Sequence, residues 1–551
     1  MIGLRHNRRM PSRRDLNRWK DAATATAKSG LLRPVGPRAG ARIVSGLWRT
    51  GLTPAAAIAI GAARHPDRDA IVDDEGATTY HELDQRIESI AGALWTRRRG
   101  RATFAVLCRN HRGFIEAFAV GARLGHEIVF LNTEITESQL GRILQRHRPD
   151  VLVHDEEYHD IVDACGYDGR RVLAWHEHDA DDRLTLDSLV VGGHARAPAN
   201  HRSSKLTLLT SGTTGLAKGV SRDVDLVGVA ESAATGMSIM RLRDGDVSVV
   251  APPFFHALGF AMLLSTLSVG GTIVSHRRFD PDQMLDDIDT HRATVLTGVP
   301  LMLQRLLKVK GEQPERDVSS LRVALTGASP IPPSTVAEFL QAFGPVLVNV
   351  YGSTETGIVS MATPEDLADE PSTLGRPGIG IKVRILRDDR SVADPGERGT
   401  LFMRGGLLFD GYTADGDATP EAKEVVDGYV STGDMGHLDD LGRLYVDGRD
   451  DDMVLSGGEN VFPLEVEHTL SEHPSVDEAV VVGIDHEEFG QVLRAYVTVT
   501  SDEPPKDTEL RAFLRERLER FKVPKEFVVL EEFPRNATGK VVRSKLADPD
   551  G

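Results

Sequence analysis

Short apolar runs alternate with helical patterns over residues 204–350. The runs have the length and composition of buried strands, and they lie at residues 246–250, 293–297, 321–325 and 345–350. Between them stand helical segments, such as residues 280–291 and a helix that Pro332 opens. Strands and helices in this order predict a mostly parallel α/β sheet. Function in such sheets is expected in the loops at the carboxyl ends of the strands.

The pattern changes outside this region. Residues 54–200 again read as alternating helices and strands, whereas residues 373–445 hold shorter strands separated by Gly and Asp turns. Residues 452–551 predict a small α+β unit with a helical stripe formed by Leu510, Phe513, Leu514, Leu518 and Phe521. We therefore divide the chain into a basic N-terminal extension (residues 1–45), a large domain (46–450) and a small C-terminal domain (451–551).

The composition is that of an ordinary globular protein, but the charge is unevenly distributed. Of 551 residues, 40% are hydrophobic and 27% are charged, and the formal net charge is −17. Residues 1–50 hold twelve Lys and Arg against two Asp, so this segment carries +10 and the rest of the chain −27. The acidic body argues against nucleic acid as a partner. Cys108 and Cys165 form no metal or redox motif, which indicates a reducing cytoplasm.

Two interpretations of the basic arm stay open. Its arginines allow a weak contact with an anionic membrane surface. Its prolines and terminal position favour a disordered tail or a non-native leader, and we expect the second interpretation to hold. The most apolar region, residues 247–274, is interrupted by Pro and Gly, so no transmembrane helix is predicted. The pattern leaves the oligomeric state open.

Residues 210–220 read Thr-Ser-Gly-Thr-Thr-Gly-Leu-Ala-Lys-Gly-Val and follow a short apolar strand. Glycines let the backbone approach an anion, hydroxyls add hydrogen-bond donors, and the lysine adds positive charge. The Walker A pattern is not matched, because Ala217 precedes the lysine and Gly219 follows it. The segment predicts a phosphate-holding loop formed by Thr210, Ser211, Gly212, Thr213, Thr214, Gly215 and Lys218.

A second cluster follows the last predicted strand and reads Asn349-Val350-Tyr351-Gly352-Ser353-Thr354-Glu355. A tight turn explains the glycine, but not an aromatic ring, two hydroxyls and a carboxylate together. Tyr351 offers a face for a base, Thr354 a hydroxyl for phosphate, and Glu355 an oxygen ligand for Mg²⁺. The preceding strand ends at Gly327-Ala328-Ser329, which can line the same base.

Three shorter motifs stand further along the chain. Asp434, in Ser-Thr-Gly-Asp, can accept hydrogen bonds from both hydroxyls of a ribose. Arg449 lies in Gly-Arg-Asp-Asp-Asp-Met, Gly457 and Gly458 follow closely, and Lys540 ends Thr-Gly-Lys. Each motif alone is typical of a turn or a solvated surface, so their value lies in their combination and order.

Taken together, these motifs resemble the adenylate-forming superfamily, which includes acyl-CoA synthetases, firefly luciferase and peptide-synthetase adenylation domains. The resemblance covers roughly residues 50–545. It implies an α/β fold with a large N-terminal domain of several subdomains, containing parallel sheets and a distorted β-barrel part. A small mobile α+β C-terminal domain completes the implied fold.

The resemblance also implies a reaction in which ATP and a carboxylate give an acyl-adenylate and pyrophosphate. Lys540 would bridge the attacking carboxylate and the α-phosphate, and Glu355 with Thr214 would hold Mg²⁺. Thr354 and His256 complete the implied catalytic set. Besides the phosphate loop, the implied nucleotide-binding residues are Gly327, Ala328, Ser329, Asn349, Tyr351, Gly352, Asp434 and Arg449.

In the second half-reaction of this superfamily, coenzyme A takes the acyl group after the small domain has rotated. The hinge implied here is Asp451, and Gly457 with Gly458 would line a tunnel for pantetheine. The short segment 357–373 has no room for the insertion that is typical of ligases that deliver acids to carrier proteins. CoA is therefore favoured over a carrier protein as the acceptor of the acyl group. A non-catalytic nucleotide-binding protein would lack Lys540 or Glu355, and both are present.

The acid is predicted from the loop at residues 252–259 and the apolar segments near it. This loop lacks the Asp that pairs with the substrate ammonium in amino-acid-activating relatives. The apolar segments 258–269 and 298–302 predict a lipophilic pocket, so a medium- or long-chain fatty acid comes first and an aryl or branched acid second. His256 is either a gate near the carboxylate or a core histidine.

Overall fold

The computed structural model describes most of the chain. The described residues are 13–31, 33–51, 53–95, 101–178, 182–193, 195–200, 202–211, 217–221, 226–353, 356–405, 423–449, 452–456, 459–486, 490–500, 504–536 and 539–546.

Helices and strands alternate through the first two thirds of these residues, and strands dominate the remainder. In chain order the helices are α1 (Arg13–Lys28), α2 (Pro37–Thr50), α3 (Ala55–Arg64), α4 (Tyr80–Leu94), α5 (Arg112–Arg123), α6 (Glu137–His147), α7 (His159–Ala164), α8 (Leu186–Val191), α9 (Leu226–Met240), α10 (Ala257–Ser268), α11 (Pro281–Thr290), α12 (Pro300–Glu312), α13 (Pro333–Phe343), α14 (Pro364–Asp369), α15 (Pro463–Leu470) and α16 (Asp507–Arg515).

The strands follow the same chain order. They are β1 (Asp69–Asp73), β2 (Gly76–Thr79), β3 (Thr103–Leu107), β4 (Glu127–Phe130), β5 (Val151–Asp155), β6 (Arg170–Trp175), β7 (Lys205–Ser211), β8 (Ala217–Ser221), β9 (Val247–Val250), β10 (Thr272–Val274), β11 (Val295–Thr297), β12 (Val323–Gly327), β13 (Leu347–Ser353), β14 (Gly357–Ala362), β15 (Arg376–Pro377), β16 (Lys382–Leu386), β17 (Gly399–Arg404), β18 (Val425–Val426), β19 (Tyr429–Leu438), β20 (Leu444–Arg449), β21 (Val454–Ser456), β22 (Glu459–Val461), β23 (Val476–His486), β24 (Gly490–Val499) and β25 (Glu526–Val529).

The largest sheet within the described residues has the strand order β15-β14-β13-β12-β11-β9-β10-β1-β2. Its strands from β13 to β1 run parallel, and antiparallel pairs flank them at both ends. Parallel strands covered on both faces read as continuous apolar runs. The runs predicted at residues 246–250, 293–297 and 321–325 are indeed β9, β11 and β12. The prediction of a parallel α/β sheet is confirmed.

A second sheet has the order β6-β5-β3-β4-β7-β8 and is parallel up to β7, after which β8 returns antiparallel. It shares a core with the first sheet. Aromatic rings from α5, β4 and the segment after β9 pack with centroids 4.8–6.2 Å apart, and they belong to Phe114, Phe118, Phe130, Phe254 and Phe260. This shared core packs the two sheets against each other.

Two further sheets follow the change of pattern: the first is antiparallel, and the second is antiparallel except for β25, which runs parallel to β24. The first has the order β16-β17-β19-β18 with β20 on β19, and the second has the order β22-β21-β24-β23 with β25 on β24. The second sheet packs with α15 and α16 around a separate apolar cluster that includes Val466, Leu493 and Leu510. This is the predicted small α+β unit. The sequence predicted both the parallel sheets of the large part and the small α+β unit, and the structure confirms them.

The helical stripe predicted in this unit extends beyond the helix. Leu510 and Leu514 are buried, as expected, but α16 ends at Arg515. Leu518 and Phe521 lie in the turn that follows and leads to Pro524, and Phe521 is exposed. Phe521 belongs to a separate short 3₁₀ helix, Arg520–Lys522, so the apolar spacing continues past the end of α16.

The N-terminal arm forms helices where the sequence favoured a disordered tail. α1 packs along α9 and buries Ala22 and Ala25. The Arg64 guanidinium donates to the carbonyl oxygens of Gly30 at 2.7 Å and Leu31 at 2.5 Å, which holds the end of α1 to the body. α2 packs on α3. Over the described residues, no helix has both the length and the hydropathy that crossing a bilayer requires.

Candidate active site

The predicted site loops converge at one edge of the nine-stranded sheet. Parallel strands present their carboxyl ends on the same side. The carboxyl ends of β12 and β13 and the segments that follow β9, β11 and β12 hold the predicted residues Gly327–Ser329, Tyr351 and His256, together with the start of α12. Because β11, β12 and β13 are neighbours, the segments that follow them lie side by side.

Close backbone packing shapes the turn after β12. A Cβ on Gly327 would lie 2.5 Å from the carbonyl oxygen of Val350 on β13, so only glycine allows the two strand ends to approach. Ala328 follows with a φ of 71°, a left-handed conformation that is rare outside glycine. Such strain is characteristic of binding loops. The turn exposes Ala328 beside the half-buried Tyr351, as a base-lining segment requires.

Tyr351 connects the parallel sheet to the antiparallel sheet. Its Oη donates a hydrogen bond to Asp434 Oδ2 on β19. Asp434 lies directly opposite Arg449 in the pairing of β19 with β20, and its backbone N–H donates to Thr432 Oγ1 at 3.1 Å. Burial raises the pKa of the Asp434 carboxyl and that of the Tyr351 hydroxyl. The structure thus brings together the three residues predicted for the base and the ribose.

His256 precedes α10, and its ring lies tilted against that of Phe255, with centroids 4.4 Å apart and 44° between the ring planes. Its Nε2 is buried and has no hydrogen-bond partner among the described residues. Burial lowers the pKa of His256 to about 4, so the imidazole is neutral at physiological pH. The helix starts close to the preceding loop, since a Cβ on Gly259 would lie 2.3 Å from the Pro253 carbonyl oxygen.

A cavity of about 300 Å³ lies beside this loop. Its apolar wall includes Phe255, Phe279 and Met302, and its polar wall includes Arg109 and Arg277. The guanidinium of Arg277 also covers the ring of Trp175, 4.5 Å from the ring centroid. The cavity combines apolar surface with donors for anionic or polar groups, a combination common in small-molecule sites.

The Lys540 loop of the small C-terminal unit lies against the same edge of the sheet. The Asn536 backbone N–H donates to the Lys540 carbonyl oxygen, and the Lys540 N–H donates to Asn536 Oδ1, both at 3.0 Å, so the loop is a tight hairpin. Gly539 has a φ of 75°, and a Cβ on it would lie 3.3 Å from Leu301 at the start of α12. Lys540 itself is exposed. The hairpin is therefore seated where the segment after β11 enters its helix.

Several predicted site residues, or their side chains, lie outside the part of the chain that the structure describes. The phosphate loop joins β7 to β8, and Thr210 pairs with Lys218 in that hairpin, but their side chains are outside the described part. Entirely outside the described residues lie Gly212, Thr213, Thr214, Gly215, Thr354, Glu355, Asp451, Gly457 and Gly458. Their assigned roles remain predictions. Asn349 and Gly352 are described and lie on β13.

The contact between the Lys540 hairpin and the surface formed by Val299 and Leu301 was not predicted from the sequence. Pro300, which opens α12 directly after β11, signals a helix start at the carboxyl edge of the sheet. No pattern in the sequence links that helix to residue 539, because the two segments are distant in the chain. The Tyr351–Asp434 hydrogen bond is missed for the same reason.

Two models of known protein families match this chain. A sequence model described as AMP-binding enzyme matches residues 58–413, and one described as AMP-binding enzyme C-terminal domain matches residues 465–540. Both matches begin after α1 and α2. Five of the predicted site residues lie between the two matches: Asp434, Arg449, Asp451, Gly457 and Gly458.

Named relatives match along nearly their whole length. The chain is 31% identical over 484 residues to 2-succinylbenzoate–CoA ligase of Bacillus licheniformis, covering 87% of this chain and 97% of that one. It is 32% identical over 489 residues to indoleacetate–CoA ligase of Aromatoleum aromaticum, covering 87% and 94%. Among solved structures, o-succinylbenzoate CoA synthetase from Bacillus subtilis, in complex with its acyl-adenylate intermediate, matches with a TM-score of 0.76 and 28% identity over 89% of this chain and 98% of that one.

Proposed function

The chain belongs to the AMP-binding enzyme family and is an AMP-forming CoA ligase, and from that premise we propose that its acid substrate is an aromatic or otherwise cyclic carboxylic acid. Such enzymes use ATP, Mg²⁺ and CoA, and form an acyl-adenylate before the thioester. The relatives are named for 2-succinylbenzoate and indoleacetate. They favour the aryl-acid alternative over the fatty acid that the apolar segments suggested.

The fatty-acid prediction rested on hydrophobicity, and hydrophobicity does not distinguish a ring from an alkyl chain. Both shapes bury apolar surface at a similar free energy per unit area. What separates them is the outline of the pocket, which depends on side chains brought together from several strands. The sequence supplies the apolar character of α10 but not that outline.

The first half-reaction is assigned to the sheet edge. Tyr351 and the turn at residues 327–329 would hold the adenine, and Asp434 with Arg449 would hold the ribose. The β7–β8 loop would hold the leaving pyrophosphate. Glu355 and Thr214 are the proposed ligands of Mg²⁺, which supplies charge compensation on the phosphates when bound. No general base is required, because the attacking carboxylate is ionised at pH 7.

The single observation that carries this assignment is the position of the Lys540 hairpin. It lies against Leu301, beside the turn proposed for adenine. An ammonium group delivered there can stabilise the negative charge that builds when the carboxylate attacks the α-phosphate. The neutral His256, half-buried beside Phe255, is proposed to border the acid rather than to transfer a proton.

The second half-reaction is assigned to a rotated small domain. We place the domain boundary at Asp451, between residues 46–450 and 451–551, so that rotation withdraws Lys540 and brings Gly457 and Gly458 to the site for pantetheine. CoA is the proposed acceptor, with a carrier protein as the alternative. The proposed compartment is the cytoplasm, because Cys108 and Cys165 are both free thiols.

An acid panel tests the proposed substrate class. Purified enzyme is given ATP, Mg²⁺ and one acid at a time, and AMP release is measured with and without CoA. Benzoate derivatives, arylacetates and cyclic alkanoates should give CoA-dependent AMP release with a higher kcat/KM than octanoate or palmitate. A clear preference for the straight-chain acids would overturn the assignment, and AMP release that CoA does not stimulate would point to another acceptor.

A further inference from the structure

Helix α2 turns an apolar row towards solvent as well as towards the protein. Its inner face is fixed: Gly46 and Thr50 are buried, and a Cβ on Gly46 would lie 3.1 Å from Ala59 of α3. Arg49 adds ion pairs to Asp84 and Glu88 of α4, at 3.4 and 2.9 Å. The helix is therefore held firmly, and its outer face keeps a defined orientation.

The outer face carries residues at the spacing of one helical stripe. Pro37, Ala41, Val44 and Trp48 are all exposed and lie along one line of the helix. Val44 is 68% exposed and Trp48 is 63% exposed. Single exposed apolar residues are common on a protein surface, but these two lie one turn apart and form a patch rather than a scattered residue.

Arginines border the stripe on one side. Arg38 and Arg42 are exposed and make no ion pair with any described residue. The sequence around them adds further cations, so that residues 1–50 carry +10 while the rest of the chain carries −27. An apolar row with Trp, flanked by arginines, is the composition of helices that lie in the interface of an anionic bilayer.

We propose that α2 is a lipid-contacting helix that docks this enzyme on an anionic bilayer surface, with Val44 and Trp48 among the acyl chains and the arginines at the phosphates of the headgroups. The charge distribution supports this occupant, because the acidic body is repelled by the same surface that attracts the arm, which orients the molecule. The sequence alone favoured a disordered tail, and the folded, anchored helix changes that expectation. The inference is independent of the acid substrate.

Vesicle co-sedimentation of the full chain tests the proposal. Binding to vesicles of phosphatidylcholine with phosphatidylglycerol should exceed binding to pure phosphatidylcholine by at least about tenfold, since each arginine near the surface contributes about 1 kcal/mol. Raising the salt should weaken it. Equal binding to both vesicle types, or no binding to the anionic ones, would overturn the proposal.

Surface variants separate α2 from the rest of the molecule. Arg38→Glu with Arg42→Glu, and separately Val44→Asp with Trp48→Asp, should each reduce anionic-vesicle binding at least about tenfold. Val191→Asp is the matched control, because Val191 is 84% exposed on α8, a different helix. Turnover on a water-soluble acid should be unchanged in all variants, which reports correct folding. Unchanged vesicle binding in the α2 variants would contradict the proposal.

Two further measurements identify the occupant. Brominated lipids should quench tryptophan fluorescence in the wild type, and Trp48→Phe should remove most of that quenching although the other tryptophans remain. Sedimentation velocity without lipid should give the same species for the wild type and the α2 variants. A wild-type oligomer that these variants dissociate would show that α2 contacts a second copy, and would overturn lipid docking.

Discussion

At the level of single residues, Asp434 combines a binding role with an unusual environment. It accepts a hydrogen bond from Tyr351 and lies opposite Arg449, yet burial outweighs these contacts and raises the pKa of its carboxyl. An ionised carboxylate accepts hydrogen bonds from ribose hydroxyls more strongly than a protonated one. The affinity for ATP should therefore depend on pH through this group.

The corresponding prediction concerns the KM for ATP. Because the pKa of Asp434 is raised, the proton is taken up at a higher pH than by an ordinary aspartate, so the KM should rise as the pH falls towards the acidic range. Asp434→Asn should raise the KM at neutral pH about tenfold, as expected for the loss of a charged hydrogen bond. It should also remove the acid-side rise. An acid-side rise that persists in this variant would exclude Asp434 as its source.

At the level of elements, the Lys540 hairpin and the start of α12 form the contact on which the proposed adenylation step depends. Gly539 adopts a left-handed φ and lies next to Leu301. Gly344, after α13, has a similar φ of 81°, but a Cβ there would meet no atom within 4 Å. The two glycines thus share the backbone strain of a substitution but differ in the contact.

Substitution by valine separates strain from docking. Gly539→Val and Gly344→Val should lower the melting temperature by similar amounts, because both force a β-branched residue into the left-handed region. Only Gly539→Val should displace the hairpin from Leu301, and the rate of adenylate formation should then fall at least about tenfold further. Pyrophosphate release under single-turnover conditions measures this rate. Equal rates in the two variants would show that hairpin docking is not required.

Elements were predicted well where burial is two-sided and poorly where partners are remote. β9, β11 and β12 match their predicted runs because both faces of the sheet are covered, so that the strands consist mostly of apolar residues. The helix α1 was not predicted, because its sequence is rich in arginine and threonine. The side of α1 that is buried becomes apparent only from its packing against α9. The stripe at residues 510–521 overshot α16, because the apolar spacing continues into a separate short 3₁₀ helix, Arg520–Lys522.

In the candidate site, too, local features were predicted well and contacts between remote segments were not. The residue types at 327–329, 351, 434 and 540 identified the chemistry, since each motif lies within a few consecutive residues. Contacts between motifs could not be read in this way: Tyr351 and Asp434 are 83 positions apart in the chain, and their hydrogen bond exists only in the folded protein. The relatives favour the aryl-acid alternative over the fatty acid that the sequence put first, and the pocket shape that separates the two depends on such remote contacts.

At the level of the whole molecule, the small C-terminal domain is proposed to serve the two half-reactions in turn. The hinge assigned to Asp451 must change its backbone torsions between them. Asp451→Pro fixes φ and should hold the enzyme in the adenylation orientation, giving a burst of pyrophosphate but little CoA ester. Asp451→Ala is the control and should retain both. Steady-state thioester production that proline leaves unchanged would move the hinge elsewhere.

The most direct test of the central claim compares Lys540→Ala in the two half-reactions. Adenylate formation from ATP and acid should lose about 3–4 kcal/mol of transition-state stabilisation, a rate loss of roughly a hundred- to a thousandfold. Thioester formation from supplied acyl-adenylate and CoA should stay close to wild type, because Lys540 has then left the site. Lys545→Ala, an exposed lysine of the same unit, should change neither. An equal loss in both half-reactions, or none in the first, would contradict the account.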